Sequence, residues 1–459
     1  MKLENIKSVY FIGAGGIGMS ALLRYFLSIG KVVGGYDRTS STLTEKLIEE
    51  GAKIHYEDNV ETIPSNFKQA DSTLVVYTPA IPSNNTEFIY FKENKFHLQK
   101  RSQVLGLITQ SLKGLCVAGT HGKTTTSTML AHLLYNSSVG CNAFLGGISH
   151  NYGTNLLVNN DSSYAVIEAD EFDRSFHFLH PYISIITSAD PDHLDIYGTE
   201  KAYKESFEHY TSLIQPGGAL ILKKGVEINL KLQEGVKLYS YSIEEGDFHA
   251  ENIRIGNGEI HFDFVAPAVT IKDINLGVPI HINIENSIAA IAVALMCGTS
   301  PEEIKNSMSN FKGIERRFDF VLKEDNLVLI NDYAHHPAEV KRSIESVREL
   351  YKGKKLTVAF QPHLYSRTND FYKEFAESLS IADEVILLDI YPARELPMEG
   401  VTSKLILDKI EKGKPKYLSD KKNLCNLISN TKPEVVLTLG AGDINLLLQE
   451  LKTTLLKTK

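Results

Sequence analysis

Val117-Ala118-Gly119-Thr120-His121-Gly122-Lys123-Thr124-Thr125-Thr126 has the order of glycine, lysine and hydroxyl that a phosphate-cradling loop needs. An apolar run over 114–118 precedes it and a helical pattern over 127–135 follows, so the glycines fall at a strand-to-helix turn. That is the setting in which such a loop works. Backbone N–H groups there, with the positive end of the following helix, can surround phosphate oxygens. Lys123 supplies a point charge and Thr124 a hydroxyl for Mg²⁺. The loop is shorter than the usual G-x-x-x-x-G-K-[ST], so its flanking strand and helix carry much of the argument. Together they predict an α/β domain that handles ATP.

A second strand-turn-helix opens the chain. Ser8-Val9-Tyr10-Phe11-Ile12 reads as a buried strand, Gly13-Ala14-Gly15-Gly16-Ile17-Gly18 as a tight turn and 19–28 as a helix, with a second strand ending at Asp37. Glycines let the backbone approach a pyrophosphate, and an acid at the end of the next strand can reach a ribose hydroxyl. NAD and another nucleotide diphosphate are equal candidates for this turn.

Length points to about three domains. With 459 residues and a net charge of −8, and with no basic run or aromatic-interleaved basic patch, the chain excludes nucleic acid or an anionic membrane as its main partner. No apolar run reaches bilayer length and the N-terminus leads directly into a strand, so a cytoplasmic protein without membrane insertion is expected. Cys116, Cys141, Cys297 and Cys425 are scattered without a C-x-x-C pair, which predicts reduced packing residues. Strands and helices alternate along most of the chain, the pattern of largely parallel sheets. The expected divisions are 1–106, 107–313 and 314–459, with a hinge at Phe311-Lys312-Gly313-Ile314, a β-rich stretch over 217–278 and a solvated, fraying tail after Leu451.

Acids gather at two strand ends in the central segment. Glu168, Asp170, Glu171 and Asp173 follow Val166-Ile167, where carboxylates beside a phosphate site suit Mg²⁺. After Ile185-Ile186-Thr187, His193 stands among Asp190, Asp192 and Asp195, a group suited to metal or phosphate. In the last segment, Asn331-Asp332-Tyr333-Ala334-His335-His336-Pro337 and Gln361-Pro362-His363-Leu364-Tyr365-Ser366-Arg367 each follow a strand. Asp332, His335, His363 and Arg367 could face one cleft, with Arg367 suited to grip a carboxylate with both arms of its guanidinium.

Taken in order, these motifs resemble the Mur ligases over essentially the whole chain. Asn283-Ile284-Glu285-Asn286, Arg316-Arg317-Phe318 and Gly440-Ala441-Gly442-Asp443 complete the match. The resemblance implies a three-domain α/β architecture: a Rossmann-like N-terminal domain, a central P-loop ATPase-like domain and a Rossmann-like C-terminal domain. It is strongest to the branch that joins L-alanine to UDP-N-acetylmuramate at the expense of ATP, with Mg²⁺ or Mn²⁺. It implies that Gly13, Gly15, Gly16, Gly18, Met19, Ser20, Asp37, Thr78 and Ala80 hold the UDP-sugar. Gly119, Thr120, His121, Gly122, Lys123, Thr124 and Thr125, with Asn283, Asn286, Arg317 and Asp332, would hold ATP between the central and last domains. Thr124, Glu168 and His193 match metal positions, and Tyr333, His335, His363 and Arg367 lie near the incoming amino acid.

The implied chemistry passes a phosphoryl group from ATP to the sugar's carboxylate, and alanine's amine then displaces phosphate from the acyl phosphate. Lys123, His193 and a metal on Thr124 and Glu168 offset repulsion between anions, Arg367 orients alanine, and His193 or His335 takes the amine's proton. This reading has three rivals: a ligase that recycles a ready-made tripeptide onto the same sugar, an NAD-dependent oxidoreductase, and a non-catalytic ATP switch. Two positions depart from the pattern of relatives, His281 being shifted within its motif and Leu364 replacing an arginine. Oligomeric state is not encoded in any motif.

Overall fold

The computed structural model describes residues 5–78, 81–192, 194–393 and 395–457. Its chain opens with β1 (Ser8–Ile12), α1 (Ile17–Ser28), β2 (Val32–Tyr36), α2 (Thr42–Glu49), β3 (Lys53–His55), β4 (Thr73–Tyr77), α3 (Thr86–Glu93), β5 (His97–Lys100) and α4 (Arg101–Ser111). The five strands pair in parallel in the order β3-β2-β1-β4-β5. All five residues of β1 are buried, as expected of an apolar run covered on both faces. The strand order reverses between β1 and β4, and open parallel sheets collect ligands at the carboxyl ends of strands beside such a reversal.

A seven-stranded sheet follows, from β6 (Lys113–Ala118), α5 (Lys123–Tyr135), β7 (Asn142–Ser149), β8 (Thr154–Leu157), β9 (Tyr164–Glu168), β10 (Pro181–Ile186), α6 (Leu194–Tyr197), α7 (Glu200–Thr211), β11 (Ala219–Lys223) and β12 (Lys237–Tyr241). Its order is β12-β11-β10-β6-β9-β7-β8, and only the edge pair β7–β8 is antiparallel. The central β6 carries Leu115, Cys116, Val117 and Ala118, all buried, and ends on the phosphate-type loop. Met19, Phe26, Phe144, Ile167 and Tyr210 belong to one continuous apolar core that serves both sheets.

The expected β-rich stretch resolves into β11, β12 and a three-stranded sheet of β13 (His249–Gly256), β14 (Glu259–Ala266) and β15 (Val269–Asn275). Helices α8 (His281–Met296) and α9 (Pro301–Ser309) come next. Ser300 and Glu303 form a reciprocal cap at the start of α9, with Pro301 in its first turn. The last sheet comprises β16 (Asp319–Glu324), β17 (Leu327–Asp332), α10 (Pro337–Leu350), β18 (Leu356–Phe360), α11 (Tyr365–Leu379), β19 (Glu384–Leu387), α12 (Lys404–Leu407), β20 (Lys416–Leu418), α13 (Lys421–Asn430), β21 (Val435–Leu439) and α14 (Leu448–Lys457). It runs β16-β17-β21-β18-β19-β20, parallel except for β16 on its edge.

Two compact units emerge. One contains everything up to Glu251 with Phe262–Ile274 and Ile284–Phe311; the other contains Asn252–His261, Asn275–Asn283 and the chain from Lys312 onward. The tail corrects an expectation. From Leu451 to Lys457 the chain does not fray but continues α14, burying Leu451 and Leu455 against the last sheet's apolar core. Their spacing of four places both on one helical face, which outweighs the lysines around them. Among the described residues Cys116, Cys141 and Cys425 are free and buried and Cys297 is free and half-buried, and no helix is long and apolar enough to cross a membrane.

Candidate active site

At the end of β6 the backbone turns through Gly119, at φ +134°, and Gly122, at φ +81°, conformations that favour glycine. Space excludes side chains as well: a Cβ on Gly119 would stand 2.1 Å from Thr187 Oγ1, and one on Gly122 would stand 2.9 Å from Asn286 Oδ1. Ser188 Oγ accepts from His121 N at 3.0 Å, and Thr120 Oγ1 donates to Asp190 O at 2.6 Å. Helix α5 then starts at Lys123 with no side chain capping it and no acid in its first turn. Uncapped N–H groups beside a lysine and a row of threonines fit the phosphates of a nucleotide.

Lys123 Nζ donates to Gly119 O at 2.6 Å and to Glu171 Oε1 at 2.9 Å, and lies 2.7 Å from Glu171 Oε2. Burial pushes the Glu171 carboxyl up, while the Lys123 ammonium opposes the shift. At the next residue, Thr124 Oγ1 donates to Glu168 Oε1 at 3.1 Å. Hydroxyl and carboxylate thus converge at the start of α5, a hard-oxygen pair of the kind that divalent cations accept.

The four acids expected to gather around a metal are distributed instead. Glu168 faces Thr124, Glu171 takes Lys123, Asp170 lies 3.3 Å from Arg101 Nη2, and Asp173 lies 2.8 Å from Lys100 Nζ. Three of the four therefore neutralise cations. Among the described residues no three His, Cys, Asp or Glu side chains gather as a metal-holding group, and His193 lies outside the described residues.

In the first turn, Gly13 has φ +87°, and Gly15 N donates to Asp37 Oδ2 at 2.6 Å. Asp37 also accepts from Thr39 N at 3.2 Å, so this acid fastens the turn to the end of β2. Gly16 caps α1 without a side-chain bond, Met19 is buried beneath it, and Ser20 Oγ donates to Ile17 O at 2.8 Å. A cleft of ≈ 280 Å³ begins at this turn, where Gly16, Gly18 and Thr78 line it, and reaches Gly146, Glu168 and Asp170 of the second sheet. Ala80 lies outside the described residues. Gly146 allows the close approach of Glu168, because a Cβ there would stand 2.1 Å from Glu168 Oε2.

The second unit holds a separate cluster. Asp332 ends β17, accepts from Phe318 N at 3.3 Å and takes the Ser343 hydroxyl, while burial pushes its carboxyl up. The Arg316 and Arg317 guanidinium groups lie 4.6 and 5.6 Å from the Tyr333 ring. His335 Nδ1 lies 3.0 Å from Tyr333 O, and its ring is 5.8 Å from that of His363. A carbonyl can only accept, so Nδ1 carries the hydrogen and Nε2 keeps its lone pair. Burial pushes both imidazoles down, and the charge of Arg367 adds to the shift in each. Among the described residues, Arg316 Nε, His363 Nδ1 and Arg367 Nη1 are buried without a hydrogen bond. Buried nitrogens of this kind suit an anionic guest.

Lys123, Thr124 and Glu168 lie together in one corner of the first unit, and Tyr333, His335, His363 and Arg367 lie together in the second. Asn286 Oδ1 accepts from Thr126 in the first unit, and Asn283 Nδ2 donates to Val278 O in the second. His336 caps α10 ahead of Pro337, so that pair starts the helix. Sequence reasoning missed Arg101 and Gly146, neither of which stands at a recognisable spacing, and it gave no site role to Arg316, the first residue of Arg316-Arg317-Phe318.

The chain matches models of the Mur ligase family catalytic domain over 8–112, the Mur ligase middle domain over 117–294, and the Mur ligase glutamate ligase domain over 316–442. It is 66% identical over 445 residues to a UDP-N-acetylmuramate–L-alanine ligase of Phocaeicola vulgatus, covering 97% of each chain. A protein of the same description from Parabacteroides distasonis is 60% identical over 458 residues, covering 100% of this chain and 99% of its own. Among solved structures, the UDP-N-acetylmuramate-alanine ligase of Thermotoga maritima superposes with a TM-score of 0.81 at 26% identity, covering 98% of this chain and 100% of that one. A murein peptide ligase of Psychrobacter arcticus shares the fold, with a TM-score of 0.62 at 20% identity and 98% of each chain covered.

Proposed function

The chain belongs to the Mur ligase family, and from that premise we propose that it joins L-alanine to the carboxylate of UDP-N-acetylmuramate at the expense of ATP, a step in making peptidoglycan precursors. The observation that most supports this reading is the cleft: a turn suited to a diphosphate and a carboxylate suited to a metal line one cavity. An acceptor carboxylate and a donor phosphoryl group can meet in it.

In this reading the uncapped N–H groups of the 119–125 loop and Lys123 take the nucleotide phosphates, and Lys123 exchanges the Glu171 carboxylate for phosphate oxygens. Asn283, Asn286, Arg317 and Asp332 also serve ATP. Thr124 and Glu168, with His193, would hold Mg²⁺, which would supply charge to offset the repulsion between two anions. The acyl phosphate of the sugar is then attacked by alanine, whose carboxylate Arg367 and His363 orient. His335 accepts the amine's proton at Nε2, its neutral form being favoured by burial. Residues 1–106, 107–313 and 314–459 act as sugar-nucleotide, ATP and amino-acid domains. The partners are these small molecules, without nucleic acid or membrane, and the location is cytoplasmic.

Phosphate release from ATP and Mg²⁺ with UDP-N-acetylmuramate is the test, L-alanine being supplied in one sample and the L-Ala-γ-D-Glu-diaminopimelate tripeptide in another. Release with L-alanine only, with a UDP-muramoyl-alanine product, is expected. Release with tripeptide only would move the chain to the recycling branch. Lys123→Ala should lower turnover by roughly 10²-fold or more while UDP-sugar binding persists; a variant with normal turnover would sink the assignment of ATP to this loop.

A further inference from the structure

We infer that Arg101 is a binding residue for an oxyanion of the nucleotide sugar, reaching across from α4 to the glycine turn; the inference rests on the proposed substrate. Arg101 lines the ≈ 280 Å³ cleft and is the one cation among its described lining residues, which also include Glu168 and Asp170. An anion entering a cleft that already holds two carboxylates needs that positive charge. Gly18 supplies an independent argument. Its backbone is not in the left-handed region, so conformation does not demand glycine there. A Cβ at that position would stand 2.4 Å from Arg101 Nη1 and 3.0 Å from Cζ, so the missing side chain is the space that the guanidinium occupies.

The other arm of the guanidinium lies 3.3 Å from Asp170 Oδ2, a long contact between side chains 27% and 37% exposed. Asp170 therefore aims the group without using up its five donors. A planar guanidinium so aimed takes two oxygens of a phosphate or a carboxylate at once. The diphosphate and the lactoyl carboxylate of the sugar share that chemistry.

Equilibrium binding of UDP, UDP-N-acetylglucosamine and UDP-N-acetylmuramate without ATP tests the assignment. Arg101→Ala should weaken UDP-N-acetylmuramate by about tenfold or more, with ATP binding and melting temperature retained, and Arg101→Lys should recover part of the loss. A loss shared by UDP assigns the diphosphate; a loss confined to UDP-N-acetylmuramate assigns the carboxylate, which UDP-N-acetylglucosamine lacks. Gly18→Ala should weaken binding in the native background yet add less than about twofold to Arg101→Ala, because the two changes remove one contact. Unchanged affinity for all three ligands in both Arg101 variants would reduce Arg101 to an anchor for Asp170 and overturn the inference. A native protein that binds none of them would instead overturn the proposed substrate, and this inference with it.

Discussion

At the scale of single residues, contacts as much as backbone angles explain which amino acids the chain carries. Gly146 is glycine because Glu168 needs its space, and Gly442 because its Cβ would stand 2.3 Å from Gln361 Oε1. Gln361 in turn donates to Asp443 and accepts from Ile444 N, so Gly440-Ala441-Gly442-Asp443 is a loop folded around one glutamine. Leu364 is the opposite case, a branched residue at φ 72° and ψ 136°, where glycine is normally found. It sits between His363 and Arg367, so the strain falls where the amino-acid site is proposed. The Gly146 contact yields a prediction: Gly146→Ala should push Glu168 off Thr124 and raise the Mg²⁺ concentration for half-maximal turnover by about tenfold. A metal titration of the steady-state rate checks it, and an unchanged midpoint would separate Glu168 from the metal.

At the scale of elements, the first sheet hides a polar cluster that no motif announced. Tyr10 OH donates to Glu87 Oε2 at 2.6 Å, and His55 Nε2 lies 2.7 Å from the same phenol and 3.2 Å from Glu87 Oε1. Burial pushes the Glu87 carboxyl up to about 7 and the His55 imidazole down. The native state therefore keeps a proton on Glu87 that the unfolded chain has already released at neutral pH. Its stabilising contribution is complete below the ordinary glutamate pKa of about 4.5 and is lost as pH rises through about 7. His55 acts in the opposite sense, its lowered pKa adding stability as pH rises through the ordinary imidazole value of 6.5, so urea midpoints should fall between about pH 7 and 8, where that gain is nearly complete and the Glu87 loss continues. Glu87→Gln, which keeps an acceptor for Tyr10, should flatten that fall; an equally steep slope in the variant would place its origin elsewhere. In the last sheet, Leu451→Ala should cost about 2–4 kcal/mol, read by urea unfolding, since the residue is 1% exposed in the α14 core. A loss under about 0.5 kcal/mol would restore the fraying tail.

For the whole molecule, two compact units with separate apolar cores predict that unfolding is not a single cooperative transition. Differential scanning calorimetry should resolve at least two transitions, and ATP with Mg²⁺ should shift the one belonging to the unit with the 119–125 loop. One transition with equal calorimetric and van't Hoff enthalpies would contradict this. How much was legible in advance depended on range. β1, β18 and β21 follow the apolar runs residue for residue, because a strand buried on both faces must be continuously apolar. Antiparallel β16, the β7–β8 edge and α14 carry weaker local signals, and each owes its place to neighbours distant in sequence. By itself the sequence determined the α/β class, the glycine-lysine-threonine loop proposed to receive phosphate, the acids and histidines at strand ends, and the family, since each is written in residues adjacent along the chain. Only the tertiary structure decided that Glu171 holds Lys123, that three of four clustered acids pair with cations, and that Arg101 fills the space beside Gly18. Those outcomes depend on through-space distances between residues about 50 to 85 positions apart, and local pattern does not encode them.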